Sequence, residues 1–165
     1  MTDQIINKNL KDEMEESYLL YAINTIVDRA IPSIYDGLKP VHRRIIYTMY
    51  EEKIFSNKPH KKSATIVGAT MGRYHPHGDS SIYQALVRLS QNFSLRYPLI
   101  DGHGNFGSLD DNAAAMRYTE ARMSPLAELM LENIKKSGIK WKPNFDESTT
   151  EPTLLPSIVP NLLLN

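Results

Sequence analysis

The stretch YHPHGDSSIYQALVRLS, residues 74–90, decides the fold class of this chain. Its second half repeats apolar side chains at helical spacing, which predicts a helix over about residues 80–93. Asp79 or Ser80 is suited to cap that helix. A preceding helix is expected over about residues 62–72, and two short helices with a tight glycine-containing connection are typical of a helix-turn-helix pair. The second helix of this pair is expected to present four side chains outward: Ser80, Ser81, Gln84 and Arg88.

Further helices are expected on both sides of this pair. Acidic residues near the start of the first helix suit the helix dipole, and Pro40 suits the first position of the second. After residue 96 the sequence becomes rich in glycine, which predicts short strands and turns. The chain is therefore predicted to be α+β and mostly helical. The additional helices are predicted over about residues 10–30, 40–52 and 125–136, and residues 141–165 are predicted to form short extended pieces.

Positive charge is concentrated in one part of a neutral chain. Lys and Arg number 19 and Asp and Glu also number 19, so the formal net charge is zero. Between Lys39 and Arg96, however, ten Lys and Arg stand against three acidic residues, and four of the five histidines lie in the same stretch. A basic block within a neutral protein predicts an anion-binding surface, with a solvated basic face as the alternative.

The composition excludes several kinds of site. There are no cysteines, which excludes disulfides and thiolate metal sites and fits a cytoplasmic location. No apolar stretch approaches the roughly 20 residues that span a bilayer. The first ten residues also lack the apolar core of a signal peptide. We therefore expect a cytoplasmic protein without a membrane partner.

The segment AAAMRYTEAR, residues 113–122, carries the strongest candidate for catalysis, because Tyr118 stands between Arg117 and Arg122. A phenol is a weak nucleophile at neutral pH, since its pKa is about 10. Fixed positive charge favours the ionised form and stabilises charge on phosphoryl oxygens, and arginine binds phosphate as a fork. Neighbours in a regular strand face opposite ways, so a phosphate shared by residues 117 and 118 requires an irregular backbone. The alternative is an ordinary surface pair.

The loop before the second helix of the pair has two interpretations. His75, His77 and Asp79 have side chains that can ligate a metal ion. Imidazoles beside the N-terminus of a helix can instead donate hydrogen bonds to phosphate, with the helix dipole assisting. We favour phosphate, because the chain offers no cysteine and few other ligands.

Four motifs in a fixed order resemble one protein family. The strings are DGLKPVHRR (36–44), YHPHGDS (74–80), DGHGNFGS (101–108) and AMRYTE (115–120). They are similar to the signature set of the bacterial type IIA topoisomerase A subunits, the DNA-cleaving chains of gyrase and topoisomerase IV. The resemblance covers about residues 8–165. It leaves gyrase and topoisomerase IV open, with residues 141–146 slightly favouring topoisomerase IV.

This resemblance implies a fold, an activity and a set of site residues. It implies a winged-helix-type DNA-binding and cleavage domain over residues 31–140, after a helical arm at 1–30 and before the start of a tower domain at 141–165. Tyr118 is implied to attack DNA and form a 5′-phosphotyrosine, with Arg117 stabilising the transition state. The other implied catalytic residues are His77 and Arg43, and the implied DNA contacts are Lys39, His42, Arg44, His75, His77, Ser80 and Arg88.

The chain departs from the family pattern at several positions. Tyr35 stands where the family has an arginine, and Ala69 stands where an acid is common. Ser80 and the acid four residues later anchor a water–metal bridge to fluoroquinolones in the family, but this chain has Gln84 in place of the acid. Ser80 and Gln84 are therefore the expected drug-binding residues, with weakened drug binding.

The resemblance also implies partners that supply what this chain lacks. We expect no cofactor bound by the chain itself, with Mg²⁺ and ATP acting through a topoisomerase B subunit in an A2B2 complex built on a homodimer of A subunits. The substrate is double-stranded DNA, in the cytoplasm at the nucleoid. Further family domains are absent from these 165 residues, so the chain alone is expected to bind DNA at most. The alternatives are a non-enzymatic helix-turn-helix DNA-binding module and a truncated remnant that binds the B subunit without acting.

Overall fold

Two compact units make up the part of the chain that the structure describes. The computed structural model describes residues 8–136 and 138–165. The first unit ends at Ile31 and the second runs over Pro32–Asn165. Helices and small antiparallel sheets are both present, which confirms the predicted α+β class. None of the helices in these residues is long and apolar enough to cross a bilayer.

The first unit holds one long helix, α1 (Leu10–Ala30), as the sequence predicts. The side chain of Asn9 caps it by accepting a hydrogen bond from the Lys11 amide at 3.0 Å. Asp12 and Glu13 lie in the first turn, where the helix dipole favours negative charge.

Three helices form the core of the second unit: α2 (Pro40–Glu51), α3 (Ser63–Arg73) and α4 (Asp79–Ser90). The first two begin and end within one residue of the predicted ranges, and α4 ends three residues earlier than predicted. Their facing side chains are removed from water, which stabilises the fold by about 1.5–3 kcal/mol for each large apolar side chain. At most 3% of the surface is exposed for Ile45, Ile46, Met49, Ile66, Val67, Ile82, Leu86 and Leu89.

The start of α4 differs from the prediction. Gly78 occupies the N-cap position, and no side chain caps the helix there. Asp79 is already the first helical residue, and its carboxylate accepts a hydrogen bond from the Ser80 amide at 2.7 Å. The prediction that Asp79 or Ser80 is the N-cap is therefore wrong. The acid still lies where the helix dipole favours it.

A three-stranded antiparallel sheet lies in the same unit. Its strands are β1 (Lys61–Lys62), β2 (Ile100–His103) and β3 (Glu120–Met123), in the order β1-β3-β2. The central strand β3 follows directly on the segment that contains Tyr118, and it buries Ala121 and Met123. The sheet therefore fixes the point where the candidate catalytic segment ends. The winged-helix assignment stays a prediction.

The remaining elements are short. They are α5 (Pro125–Leu131), β4 (Trp141–Pro143), β5 (Thr150–Pro152) and α6 (Asn161–Leu164). The side chain of Ser124 caps α5 as predicted, accepting from the Ala127 amide at 3.3 Å. The helix ends five residues before the predicted limit, because the chain leaves the helical conformation at Glu132 and Asn133 has a φ of 61°.

Residues 141–165 are part of the second unit in this structure, and the start of a tower domain at residue 141 stays a prediction. The Leu155 amide donates to Asp36 Oδ2 at 3.0 Å, and Asn161 Nδ2 donates to the Asp36 carbonyl at 3.0 Å. Asn144 Nδ2 donates to the carbonyl of Arg73 at the end of α3 at 2.7 Å. These buried or part-buried bonds join the last segment to the helical core.

Candidate functional site

Tyr118 lies in a turn over residues 116–118, directly before β3. Its amide donates to the Ala115 carbonyl at 2.9 Å, and 66% of the residue is exposed. The Arg117 guanidinium carbon lies 4.6 Å from the centre of the Tyr118 ring. The backbone here is irregular, as a phosphate shared by these two residues requires. Arg122, the other flanking arginine, instead pairs with Asp101 at 2.7 Å.

The residues around the turn are anchored in the core although the tyrosine itself is exposed. Thr119 is completely buried, and its hydroxyl contacts the hydroxyls of Ser63 and Tyr83, each at 2.9 Å. The Tyr83 hydroxyl also donates to the Ala114 carbonyl at 2.6 Å. The amide of Ser63 donates to the Thr119 carbonyl at 3.0 Å. We call Ser63, Tyr83 and Thr119 the hydroxyl cluster. It ties both ends of the turn to α3 and α4.

The glycine-rich motif at 101–108 supports the same segment from the other side. Asn105 accepts a backbone hydrogen bond from the Ala114 amide at 3.0 Å, and Ser108 donates one to the Asp111 carbonyl at 2.9 Å. Gly107 has a φ of 85°, a conformation that side chains disfavour, and a Cβ there would meet the backbone of residues 111–113. Glycine is therefore required where the motif turns toward the tyrosine segment.

The two predicted histidines stack on each other in the loop before α4. The ring centres of His75 and His77 lie 4.3 Å apart at an interplanar angle of 27°. Arg44 Nη1 lies 2.8 Å from His75 Nδ1, and the same guanidinium binds Glu151 through two bonds of 2.7 Å. Arg44 thus holds the histidine loop against β5. The predicted phosphate contact for Arg44 must compete with this carboxylate.

The same loop carries the three side chains named in the metal interpretation. Asp79 accepts hydrogen bonds from the amide and the hydroxyl of Ser80, and the two imidazoles stack on each other. Within residues 8–136 and 138–165, no group of three or more His, Cys, Asp or Glu side chains is arranged to hold a metal ion.

Arg43 is buried in an ion pair with Asp36. Only 8% of the residue is exposed. Its Nε and Nη2 donate to the two carboxylate oxygens of Asp36 at 2.6 and 2.9 Å, and Nη2 also donates to the Leu38 carbonyl at 3.1 Å. These bonds give Arg43 a structural role in the second unit, and its implied role in catalysis stays a prediction.

A cleft of about 1240 Å³ is lined by most of the remaining residues that were predicted to contact DNA or drug. Its lining includes residues of α4 and residues 111–116, which lead to Tyr118. The cleft is open to solvent. Its lining includes Lys39, His42, Ser80, Gln84 and Arg88.

The surroundings of His42 in the cleft strongly perturb its ionisation. Its pKa falls from 6.5 to about 4, because burial disfavours the charged ring and Lys39, Arg88 and Arg43 add positive charge around it. His42 is therefore neutral at neutral pH. It can accept or donate a hydrogen bond in the cleft without adding to its charge.

Apart from the buried Arg43, the predicted residues fall into three sets, and the structure reveals other residues as well. Tyr118 and Arg117 share the exposed turn, His75 and His77 share the loop with Arg44, and the cleft residues form the third set. Sequence reasoning missed the hydroxyl cluster and Glu151, because single Ser, Thr, Tyr and Glu residues far apart in the chain carry no local signal.

Comparison with known proteins identifies relatives of the whole segment. Residues 29–165 match the family described as the A subunit of DNA gyrase/topoisomerase IV. The chain is 58% identical over 170 aligned residues to the DNA gyrase A subunit of Rickettsia felis, a match that covers all of this chain and 19% of the relative. It is 59% identical over 166 residues to the DNA gyrase A subunit of Thermotoga maritima, covering all of this chain and 21% of the relative. The chain therefore spans about a fifth of the length of these relatives.

Proposed function

The chain belongs to the family of DNA gyrase and topoisomerase IV A subunits, and from this premise we propose that it carries the tyrosine that cuts DNA in a type II topoisomerase. The observation that supports this most directly is the exposed phenol of Tyr118 beneath the Arg117 guanidinium, on a turn whose ends are held by buried hydroxyls. An exposed phenol can reach a polymer, and the anchored turn limits the freedom that must be lost before reaction.

The proposed reaction is a transesterification. The Tyr118 oxygen attacks a backbone phosphorus of duplex DNA, and the bond from that phosphorus to the 3′ oxygen of the neighbouring nucleotide breaks. The phenol proton is lost, the leaving 3′ oxygen gains a proton, and the 5′-phosphate stays on the tyrosine. The Arg117 fork stabilises the charge on the phosphoryl oxygens in the transition state. Religation reverses these steps without external energy.

The cleft is proposed to bind the duplex near the cleavage point. Lys39 and Arg88 supply positive charge for phosphates, and Ser80 and His42 supply neutral hydrogen-bonding groups. His75 and His77 are proposed to contact DNA at the start of α4. Phosphate contacts of this kind make binding strongly dependent on salt.

The remaining components are proposed to come from partners. ATP, and the Mg²⁺ that assists phosphoryl transfer, would be held by a B subunit in an A2B2 complex. Such an enzyme would work on DNA in the cytoplasm, at the nucleoid. Gyrase and topoisomerase IV activity are both compatible with this proposal. Ser80 and Gln84 would form the quinolone-facing part of the cleft.

A covalent adduct is the test. The full-length protein that contains these residues is incubated with its B subunit, Mg²⁺ and plasmid DNA, and the reaction is stopped with denaturant. We expect protein linked to DNA 5′ ends, lost in Tyr118→Phe. Tyr97→Phe is the matched control, because Arg96 lies over the Tyr97 ring at 5.4 Å in a comparable pair.

The same experiment separates the alternatives. DNA binding without an adduct in the full-length protein would support a non-enzymatic helix-turn-helix module and overturn the proposal. An adduct that persists in Tyr118→Phe would assign the chemistry to another residue. The 165-residue chain alone is expected to bind DNA without forming an adduct.

A further inference from the structure

Glu151 is a buried carboxylate that lies far along the sequence from the motifs that point to DNA. It lies in β5, only 3% of the residue is exposed, and it is 107 positions from its partner Arg44. A carboxylate in such a site is costly unless it is paired and hydrogen-bonded. Glu151 satisfies that requirement with a two-bond fork to Arg44, both bonds at 2.7 Å, and a longer contact of 3.4 Å to Lys142 Nζ. The fork fixes the plane and position of the Arg44 guanidinium.

The orientation of Arg44 in turn decides where His75 carries its proton. A guanidinium has only N–H donors and stays protonated in proteins. Arg44 Nη1 lies 2.8 Å from His75 Nδ1, so Nδ1 must accept this hydrogen bond. A proton on Nδ1 would place two N–H groups against each other. The contact therefore requires the neutral imidazole with its proton on Nε2.

The orientation of His75 also bears on His77. The two rings stack at 4.3 Å, immediately before the first turn of α4. A rotation of His75 would disturb this stack. The position of both imidazoles thus depends on a carboxylate contributed by the β4–β5 hairpin.

We propose that Glu151 is a positioning residue for DNA cleavage, which acts through Arg44 to hold His75 as the Nε2–H tautomer. In this state His75 can donate from Nε2 to a phosphate oxygen of the bound duplex. The part of this inference that concerns DNA cleavage rests on the proposed function. The link from Glu151 to the His75 tautomer stands on the geometry of the DNA-free protein alone.

The tautomer is measured directly by ¹⁵N NMR of the histidine side chains in the chain without DNA. Protonated and unprotonated ring nitrogens have well-separated chemical shifts, so the site of the proton can be read for each ring. We expect His75 to be protonated on Nε2 only in the wild type, and to become a mixture of tautomers in Glu151→Gln. Lys142→Gln is the matched control. It removes the other partner of Glu151 and leaves the Arg44 contact, so the wild-type pattern should persist. An unchanged pattern in Glu151→Gln overturns the proposal.

Cleavage is then measured in the full-length protein with its B subunit. Misplaced contact groups lower a reaction rate more than binding, so we expect Glu151→Gln to slow adduct formation by about tenfold while DNA affinity changes by less than about twofold. A tautomer change with an unaltered cleavage rate overturns the positioning role. If the wild type forms no adduct, the proposed function fails, and the NMR result still decides whether Glu151 sets the tautomer.

A second variant covers the case in which Glu151→Gln does not fold. Arg44→Lys keeps the positive charge, but a single ammonium group cannot reproduce the fork to Glu151 together with the contact to His75. The same loss of the Nε2–H pattern is expected in a folded protein with native circular dichroism. A wild-type histidine pattern in folded Arg44→Lys contradicts the proposal.

Discussion

The guanidinium of Arg117 rests over the phenol ring of Tyr118, with the guanidinium carbon 4.6 Å from the ring centre. At an exposed site such a contact contributes only about 0.5–1 kcal/mol. A charge-assisted fork to a phosphate is stronger. The guanidinium can therefore leave the ring for a phosphate oxygen while its backbone stays in place.

Arg117→Lys keeps the charge and removes the fork. We expect adduct formation to slow by about 100-fold, the usual cost of losing one oriented donor in a transition state. DNA affinity should change little, because many other phosphate contacts contribute. The rate is measured by single-turnover cleavage on denaturing gels. Arg96→Lys, in the comparable pair with Tyr97, should match the wild type, and a twofold effect or less at Arg117 would contradict this role.

Asp36→Ala should destabilise the second unit strongly. Asp36 is completely buried and accepts hydrogen bonds from Arg43 and from the amides of Leu38 and Leu155. Its loss leaves a buried guanidinium unpaired, which costs about 3–5 kcal/mol. Urea unfolding measures the change, and Asp110→Ala, at an exposed loop position, should leave the midpoint nearly unchanged. A stably folded Arg43→Met with weakened DNA binding would support the predicted role of Arg43 at the DNA.

The stability of the chain should fall in mild acid because of His42. Burial first, and then Lys39, Arg88 and Arg43, lower its pKa from 6.5 to about 4 in the folded protein. Above pH 6.5 the ring is neutral in both states and the full stability is present. Between pH 6.5 and pH 4 the unfolded chain takes up the proton first, so stability decreases, by up to about 3 kcal/mol. Urea unfolding at several pH values should show this decrease in the wild type and a smaller one in His42→Gln. Equal decreases in both would rule out His42 as its source.

Gln84→Glu should increase the sensitivity of the proposed enzyme to fluoroquinolones. Ser80 and Gln84 are exposed and line the same cleft, but a neutral amide cannot hold a hydrated divalent ion as a carboxylate does. A charged hydrogen bond contributes about 1.5–3 kcal/mol, so drug-stabilised cleavage should need about tenfold less drug. Gln84→Asn, which keeps an amide, is the control. An unchanged drug response in Gln84→Glu would mean that this position does not contact the drug.

The sequence predicts the parts of this fold that depend on local pattern. α1, α2 and α3 begin and end within one residue of expectation, because apolar spacing and Pro40 mark them clearly. The motif residues of the candidate site could likewise be named in advance.

The partners of the charged side chains could not be predicted from the sequence. Arg43 occurs in a basic motif that suggests phosphate, but a buried Asp36 seven residues earlier takes its guanidinium. The fork between Arg44 and Glu151 joins residues 107 positions apart, and no spacing rule indicates it. The early end of α5 at Glu132 is followed by Asn133 in the left-handed conformation; asparagine adopts that conformation more readily than most residues, but a single asparagine does not mark a helix end by itself.

The hydroxyl cluster lies one residue away from the proposed nucleophile, and this bears on the covalent state. A DNA end esterified to Tyr118 would be only one peptide bond away from the buried Thr119, with no flexible loop between them. The severed strand would then move only when the whole folded unit moves. Two DNA ends, each linked to a folded unit of this kind, would separate only when the two units move apart as rigid bodies. The ends would be aligned again when the units come back together.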